Sequence, residues 1–288
     1  MSMLTSRRKT TPQEPAISLF SPATLRIKRL QRRQALVIVV GRILFLGCLI
    51  TFWQLASGRL LNPLFISDPV DIVKQLGAWI SDGTLWFHTS ITLEETLLGL
   101  FYGTTTGILA SILLGMLPTL AKILDPFLAA LNSIPKVAIA PIFILWFGIE
   151  MEMKVVLAAV TVFFLIFLNT LTGIRNVDEN LVNAVILMGG KRRDIVLKVT
   201  LPSAIGYILT GLRIAIPYAL IGAVIGELIA SSRGLGYLIN ISSNQFDTAG
   251  VFAALLTLTI IAALLNAVVN FIDRKASRWK TGISMYHT

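Results

Sequence analysis

The sequence is poor in the residues from which most metal sites and disulfide-stabilised folds are built. It has 288 residues, of which one is cysteine and two are histidine. The single cysteine, Cys48, excludes a disulfide framework within one chain and a cysteine-rich metal site. His88 and His287 fall in segments that are predicted below to lie on opposite sides of a membrane, so they cannot share a metal within one subunit. We therefore expect no metal site.

Motifs for hydrolysis are also missing. Neither H-E-x-x-H nor G-x-S-x-G occurs in the sequence. The one Gly-Lys pair, Gly190-Lys191, has Val185 and Arg192 where a P-loop needs glycine and serine or threonine. The sequence thus predicts a protein that is no enzyme and binds no cofactor of its own. Any energy from ATP must come from a partner chain.

Apolar residues are what the sequence has in abundance. They make up 55% of it, whereas charged residues make up 14%, well below the roughly 25% that is usual in soluble domains. Several apolar runs approach or exceed the roughly 20 residues that a helix needs to cross a bilayer. The sequence predicts an all-α polytopic membrane protein with about six transmembrane helices. The predicted spans are 35–57, 95–117, 123–148, 154–172, 203–229 and 249–272.

The polar segments divide the chain into five regions. These are a basic N-terminal tail (1–34), the first span (35–57), an external segment (58–90), a core (91–273) that contains the loop 173–202, and a C-terminal tail (274–288). In the external segment, Asp68-Pro69 precedes apolar residues at helical spacing and predicts a capped surface helix. That helix could contact a periplasmic partner or pack on the membrane. We expect another external loop at 231–248.

Basic residues concentrate on one side of the predicted spans. The N-terminal tail holds eight, the loop 173–202 five and the C-terminal tail four, whereas the external segments hold Arg59, Lys74, Arg233 and a borderline Lys154. Because basic loops stay in the cytoplasm, we expect both termini and the loop 173–202 to be cytoplasmic. The basic residues lie between spans without interleaved aromatic residues, which argues against a nucleic-acid partner.

The loop 173–202 contains the longest polar passage between two strongly apolar segments. Its residues 183–202 read as a helix, a Gly189-Gly190 turn, a basic helix and a stop at Leu201-Pro202. Two short amphipathic helices at a membrane surface predict a docking site for a soluble partner.

The spacing in this loop resembles a cytoplasmic motif in the inner-membrane permeases of binding-protein-dependent ABC importers. That motif is E-A-A, three residues, G, nine residues, I, one residue and L-P. The corresponding residues here are Asn183, Ala184, Val185, Gly189, Val199, Leu201 and Pro202. Ala184, Gly189, Leu201 and Pro202 match outright and Val199 is conservative, whereas Asn183 and Val185 depart from the motif. With Gly190, these residues form the predicted ATPase-coupling loop.

The resemblance covers about residues 60–275. The passages 211–213, 227–228 and 234–239 resemble the sulfonate, taurine and nitrate branch of these permeases. The resemblance implies a permease homodimer in the bacterial inner (plasma) membrane. It also implies two ATP-binding ABC subunits that bind ATP and Mg on the inside, and a periplasmic or lipid-anchored solute-binding protein on the outside. The implied solute is small and often anionic: a sulfonate, taurine, nitrate, or a related organic anion or vitamin precursor.

Polar residues within the apolar runs are candidates for the translocation pathway or its gate. Asn132, Ser133, Pro135 and Lys136 interrupt the third run, where a proline breaks backbone hydrogen bonding and a lysine is costly. Such a break is tolerated where it lines a cavity or is buried in protein, so a structural kink is the alternative. The other candidates are Asn169, Arg213 and Glu227. For Arg213 and Glu227, the alternative role is to brace the fold.

Glycines at helical spacing predict close helix packing. Gly99, Gly103 and Gly107 recur every four residues in the second span, and Gly222 and Gly226 do so in the fifth. Each set leaves a smooth face that another backbone can approach. The partner helix could belong to the same subunit or to a second copy.

Two other classes of protein compete with the importer permease. A secondary transporter would be expected to show inverted repeats, and no internal repeat is evident in the sequence. A non-transporting scaffold that docks a soluble ATPase would not need Pro135, Arg213 or Glu227 within the membrane.

Overall fold

The structure is a computed structural model that describes residues 22–58 and 65–277. Within these ranges the regular elements are helices, which confirms the predicted all-α class. The helices are α1 (Pro22–Ala56), α2 (Pro69–Ser81), α3 (Thr84–Met116), α4 (Pro118–Ser133), α5 (Lys136–Phe147), α6 (Met151–Arg175), α7 (Glu179–Leu187), α8 (Arg192–Ile195), α9 (Leu201–Ile229), α10 (Leu235–Asn244) and α11 (Thr248–Ser277). A π-helical turn, Val196–Thr200, joins α8 to α9.

Five of the described helical segments are long and apolar enough to cross a membrane. They are Arg33–Ala56, Thr84–Met116, Met151–Arg175, Arg192–Ile229 and Thr248–Phe271. A sixth crossing results if α4 and α5 count as one bent span. The prediction of about six spans is therefore confirmed.

The first span is a unit of its own. Residues 22–56 form one compact unit, and the described residues from Ser57 onward form another. In the described part of this unit, α1 is one continuous helix of 35 residues, about 52 Å long at the usual rise per residue. It thus begins well before the predicted start of the span. Cys48 is exposed on it, and the basic residues before position 22 lie outside the described residues.

The second unit is organised around α6, which packs between α3 and α9. Ala158 marks the point of closest approach: a Cβ on Gly99 of α3 would lie 2.4 Å from its Cβ, and one on Gly222 of α9 would lie 2.7 Å from its Cα. The structure thus places these glycines at helix contacts within one chain. Only glycine lets the three backbones approach this closely.

The succession of contacts gives the direction of the helices. On α3, Gly103 and Gly107 follow Gly99 and face Val162 and Ile166, which follow Ala158 on α6, so α3 and α6 run parallel. On α9, Gly226 follows Gly222 but faces Lys154, which precedes Ala158, so α9 runs antiparallel to α6. The starts of α3 and α6 therefore lie at the same end as the close of α9.

The predicted break in the third span is confirmed. Helices α4 and α5 meet at an angle of 90°, because Ile134 and Pro135 have extended backbone conformations. Pro135 has no N–H to donate and fixes its own φ, so the helix stops before it and starts again at Lys136.

Two segments differ from the prediction. The helix of the second span begins at Thr84, eleven residues before the predicted start at residue 95. The segment 231–248, expected to be a loop, contains the ten-residue helix α10. Leu235 and Leu238 are buried and give α10 a core-facing side, a short apolar pattern that its many Ser, Asn and Gly residues conceal in the sequence. The surface helix capped by Asp68 is confirmed as α2, since the Asp68 carboxylate accepts from Asp71 N at 2.8 Å.

Candidate functional site

The predicted coupling loop folds as two helices joined by a glycine turn. Asp178 caps the start of α7 by accepting a hydrogen bond from Asn180 N at 2.9 Å. At its other end, Gly189 has φ +77° and donates to Ile186 O at 2.9 Å. Gly190 donates to Val185 O at 2.9 Å, and a Cβ on Gly190 would lie 2.5 Å from Val185 Cγ1. Both glycines are thus required, one for its left-handed backbone and the other for its lack of a side chain.

The motif residues of this loop lie close together in space. A shallow groove runs between α7 and the start of α9, and Ala184, Val185, Val199 and Pro202 lie along it. Val199 is buried, whereas Asn183 is exposed on α7. Leu201 faces a second cavity beneath the loop. The motif spacing therefore places α7, the π-helical turn and the start of α9 around one groove.

The end of α7 presents an exposed apolar patch. Leu187 and Met188 are 88% and 87% exposed, and Leu181 and Ile186 are about half exposed. These four residues, called the α7 patch below, lie in a loop that also carries Lys191, Arg192 and Arg193. A concentrated apolar patch with a charged rim is typical of a protein-binding surface.

The loop is attached to the ends of the spanning helices. The Arg192 guanidinium donates to Met116 O at the end of α3. Arg175, at the end of α6, donates to both carboxylate oxygens of Asp125 on α4, at 3.0 and 3.2 Å. These contacts link the loop 173–202 to the end of α3 and to α4.

A cleft of about 260 Å³ opens between the α4–α5 bend, α6 and α9. Two of the pathway candidates, Asn132 and Lys136, line it. Lys136 Nζ donates to Asn132 O and lies 3.4 Å from Asn132 Oδ1. It also lies 5.0 Å from the centre of the Phe164 ring. The break in the third span thus brings a lysine to the wall of a cavity.

The other pathway candidates lie elsewhere. Ser133 donates to Ala129 O within α4, and Pro135 forms the exposed bend. Asn169 donates to Leu165 O on its own helix and packs beside Gly211 of α9. Arg213 is exposed on α9 and does not line the cleft.

Glu227 belongs to a buried polar cluster at the opposite end of the bundle from the loop. Its Oε1 accepts from Thr92 Oγ1 at 2.7 Å and its Oε2 from Gly236 N at 2.6 Å. Glu95 and Lys154 form an ion pair of 3.7 Å beside it, with both side chains at most 3% exposed. These contacts favour the bracing role for Glu227 over contact with a solute. His88, Thr92, Glu95, Lys154 and Glu227 are called the buried polar cluster below.

The cluster also fixes the segment between α9 and α10. His88 Nδ1 accepts from Gly234 N at 2.9 Å, and Thr92 Oγ1 accepts from Leu235 N at 2.8 Å. A Cβ on Gly234, whose φ is +101°, would lie 2.1 Å from Glu227 Oε1. Of the five cluster residues, sequence reasoning singled out Glu227 alone as a site candidate and placed Lys154 at the edge of the external loops. The sequence did hold one signal for this cluster: charged residues of both signs lie at the ends of three apolar runs.

Comparison with known proteins identifies the family of this chain. A family model for the inner membrane component of binding-protein-dependent transport systems matches residues 103–280. The chain belongs to this family. It is a membrane-embedded permease component of an ABC transporter, and the motif-based resemblance is confirmed.

Individual relatives of the permease differ in the solutes that their names give. The chain is 33% identical to the aliphatic sulfonates transport permease protein SsuC of Bacillus subtilis (strain 168), over 81% of this chain and 84% of that protein. It is 34% identical to the riboflavin transport system permease protein RibX of Chloroflexus aurantiacus, over 81% of this chain and 87% of that protein.

A solved structure shares the fold of the permease. A chain of the MetNI methionine ABC transporter in an inward facing conformation aligns with a TM-score of 0.59 at 20% identity, over 68% of this chain and 96% of that chain. This similarity supports the fold as a whole. Among the residues that the structure describes, no group of three or more His, Cys, Asp or Glu side chains is placed to hold a metal ion.

Proposed function

We propose that the permease forms, as a homodimer in the bacterial inner membrane, the pathway of an importer driven by ATPase subunits that dock on the loop 173–202. The observation that carries the proposal is the α7 patch. Leu187 and Met188 are almost fully exposed although they are large and apolar, and the turn behind them is fixed by Gly189 and Gly190. Such residues are expected to be buried by a partner.

The attachment of the loop explains how docking would drive transport. ATP and Mg would bind to the two partner ATPase subunits, whose closure would push α7. Arg192 and Arg175 connect the loop to α3 and to α4, so the push would reach the bend between α4 and α5. The cleft at that bend would then change its access from one side of the membrane to the other.

Charge and family membership support an orientation in the membrane and an external partner. Because basic segments stay in the cytoplasm, both termini and the loop 173–202 would lie on the cytoplasmic side, where ATP is available. A periplasmic or lipid-anchored solute-binding protein would deliver the solute at the end that carries α2 and α10. SsuC transports aliphatic sulfonates by its name and RibX riboflavin; for this chain we propose a small anionic solute such as a sulfonate, taurine, nitrate or a related organic anion.

The docking proposal is tested by placing charge in the α7 patch. The double variant Leu187→Asp, Met188→Asp is expected to lose the co-purifying ATPase subunits, because a buried carboxylate without a partner opposes association. Phe65→Asp is the matched control, since Phe65 is 78% exposed but lies before α2. The measurement is the amount of ATPase retained on the tagged permease in detergent.

The outcomes separate the importer from its rivals. Equal ATPase retention by the double variant and the control would contradict docking at α7. Uptake into vesicles that ignores ATP would indicate a secondary transporter. ATPase binding without any ATP-dependent uptake would indicate a scaffold.

A further inference from the structure

The cleft at the α4–α5 bend contains a cation without an anionic partner. Lys136 Nζ contacts the carbonyl and side chain of Asn132 and the ring of Phe164, all of them neutral. Lys136 thus differs from Lys154, a buried lysine at the start of α6, which has Glu95 as its counter-ion.

The cleft lies beside the middle of a helix that is long and apolar enough to span a membrane. Thr161 of α6 lines the cleft ten residues after the start of that 25-residue helix at Met151, which corresponds to about 15 Å along the axis. A lysine on the wall of a cavity within a span marks a functional site by default. Contact with a solute would supply the counter-charge that the chain does not.

The walls of the cleft are mainly apolar. The polar side chains beside Lys136 are those of Asn132, Thr161 and Tyr218. Thr161 Oγ1 already donates to Leu157 O at 2.8 Å. The apolar side chains along the rest of the cleft are Val137, Leu157, Leu165, Ile221 and Ile225. One cation in the wall of a mainly apolar cavity matches a ligand with one anionic group and an apolar body.

We propose that Lys136 is the specificity-determining residue of the pathway and binds the anionic group of an organic anion whose apolar body lies along α6 and α9. This inference rests on the proposed function for the passage of solute through the cleft. A compact inorganic anion such as nitrate fits poorly, because the mainly apolar walls offer few groups that replace its hydration. A neutral solute leaves the lysine without an anionic partner.

The position of Lys136 at the bend would couple binding to movement. It is the first residue of α5, and Asn132 lies in the last turn of α4. The ammonium therefore caps the carbonyl end of α4 until an anion replaces that contact. The alternative is that Lys136 only caps the end of α4. Binding affinity would then not depend on the charge of the solute.

The experiment measures binding of radiolabelled hexane-1-sulfonate to the permease, purified with the ATPase subunits it retains and placed in lipid nanodiscs. Wild type is expected to bind it saturably, and Lys136→Gln about tenfold or more weakly, because a charge-assisted hydrogen bond is lost. Lys136→Arg keeps the charge and should retain most of the affinity. Lys122→Gln is the matched control, since Lys122 is exposed on α4 outside the cleft.

Competition on the wild type keeps the proposal testable if Lys136→Gln does not fold. Unlabelled hexane-1-sulfonate should displace the probe at concentrations about tenfold or more below those needed for nitrate or 1-hexanol, because neither offers both the charge and the apolar body. Absence of saturable binding to wild type, equal affinity of Lys136→Gln, or equal displacement by nitrate would overturn the inference.

These outcomes are separate from those that test the importer. If the wild-type permease co-purifies with subunits that hydrolyse ATP but does not bind hexane-1-sulfonate, the role of Lys136 is contradicted and the importer proposal stands. If the wild-type permease retains no ATPase subunits, the importer proposal is contradicted. Binding of the probe to the permease alone would still decide the role of Lys136.

Discussion

The two ends of the α3, α6 and α9 bundle are held together by different kinds of contact. At one end, the buried polar cluster joins all three helices through side chains that water does not reach. Thr92 and Glu227, 135 positions apart, are hydrogen-bonded at 2.7 Å, and Lys154 and Glu95 form a buried ion pair. Breaking such contacts leaves a buried charge or polar group without a partner, which is strongly destabilising.

At the loop-bearing end, the ion pairs are exposed and the buried contacts are apolar, those of Leu114, Phe167 and Leu171. The Arg175–Asp125 pair is half exposed, and the Lys198 side chain of the Lys198–Asp194 pair is 72% exposed. Ion pairs of this kind contribute between about 0 and 1 kcal/mol. The difference is that polar and charged groups are buried at one end of the bundle and exposed at the loop-bearing end. In the proposed importer, the end with the buried polar cluster would serve as the pivot.

The largest expected effect is that of Glu227→Ala in the buried polar cluster. It leaves the Gly236 N–H without its acceptor, removes one of the two acceptors of the Thr92 hydroxyl and removes the carboxylate beside Lys154. By analogy with broken buried pairs we expect a loss of about 3–5 kcal/mol in the free energy of unfolding. Denaturation of the purified permease in mixed micelles, followed by circular dichroism, measures it.

The matched control for this variant is Glu152→Ala. Glu152 is exposed in the first turn of α6, at the same end of the bundle, and should change the stability by less than about 0.5 kcal/mol. Equal effects of the two variants would remove the contrast between the ends of the bundle.

The sequence predicts what depends on local pattern. Apolar runs predict the number of spans, Pro135 predicts the broken third span, and Asp68 predicts the start of α2, because each of these follows from residues within one helix turn or one span. The glycine turn of the coupling loop is equally local. The helix start at Thr84 was missed, since eleven residues of mixed polarity precede the apolar run.

The buried polar cluster could not be predicted, because it depends on tertiary pairing. Glu95 and Lys154 each stand near the end of an apolar run and are equally consistent with a place at the membrane surface. Their burial depends on the approach of α3, α6 and α9, which Gly99 and Gly222 permit. The helix α10 was missed for the same reason, since the cluster residue Glu227 holds its first turn through Gly236 N.

An intermediate effect is expected from Gly99→Leu, one turn from Glu95 on α3. A Cβ there would lie 2.4 Å from Ala158 Cβ and 3.2 Å from Val155 O. Helices α3 and α6 must separate, which stretches the Glu95–Lys154 pair and should cost about 1–3 kcal/mol of unfolding free energy. The same denaturation measurement applies.

The control for Gly99→Leu is Gly77→Leu on α2. A Cβ at Gly77 would meet nothing within 4 Å, so the same side chain is added without a steric conflict. A loss at Gly77 as large as that at Gly99 would show that added apolar volume, not helix separation, lowers the stability.

The smallest effect is expected from Arg175→Gln at the loop-bearing end. Both partners of the Arg175–Asp125 pair are about half exposed, so the loss should stay below about 1 kcal/mol. A double-mutant cycle with Asp125→Asn isolates the pair from other effects of either substitution. Coupling between docked ATPase and uptake should nevertheless fall, because this pair is one of the connections from the loop to α4. A coupling energy as large as the loss at Glu227 would mean that both ends are equally rigid, and the pivot would then have to lie elsewhere, at the bend before Lys136.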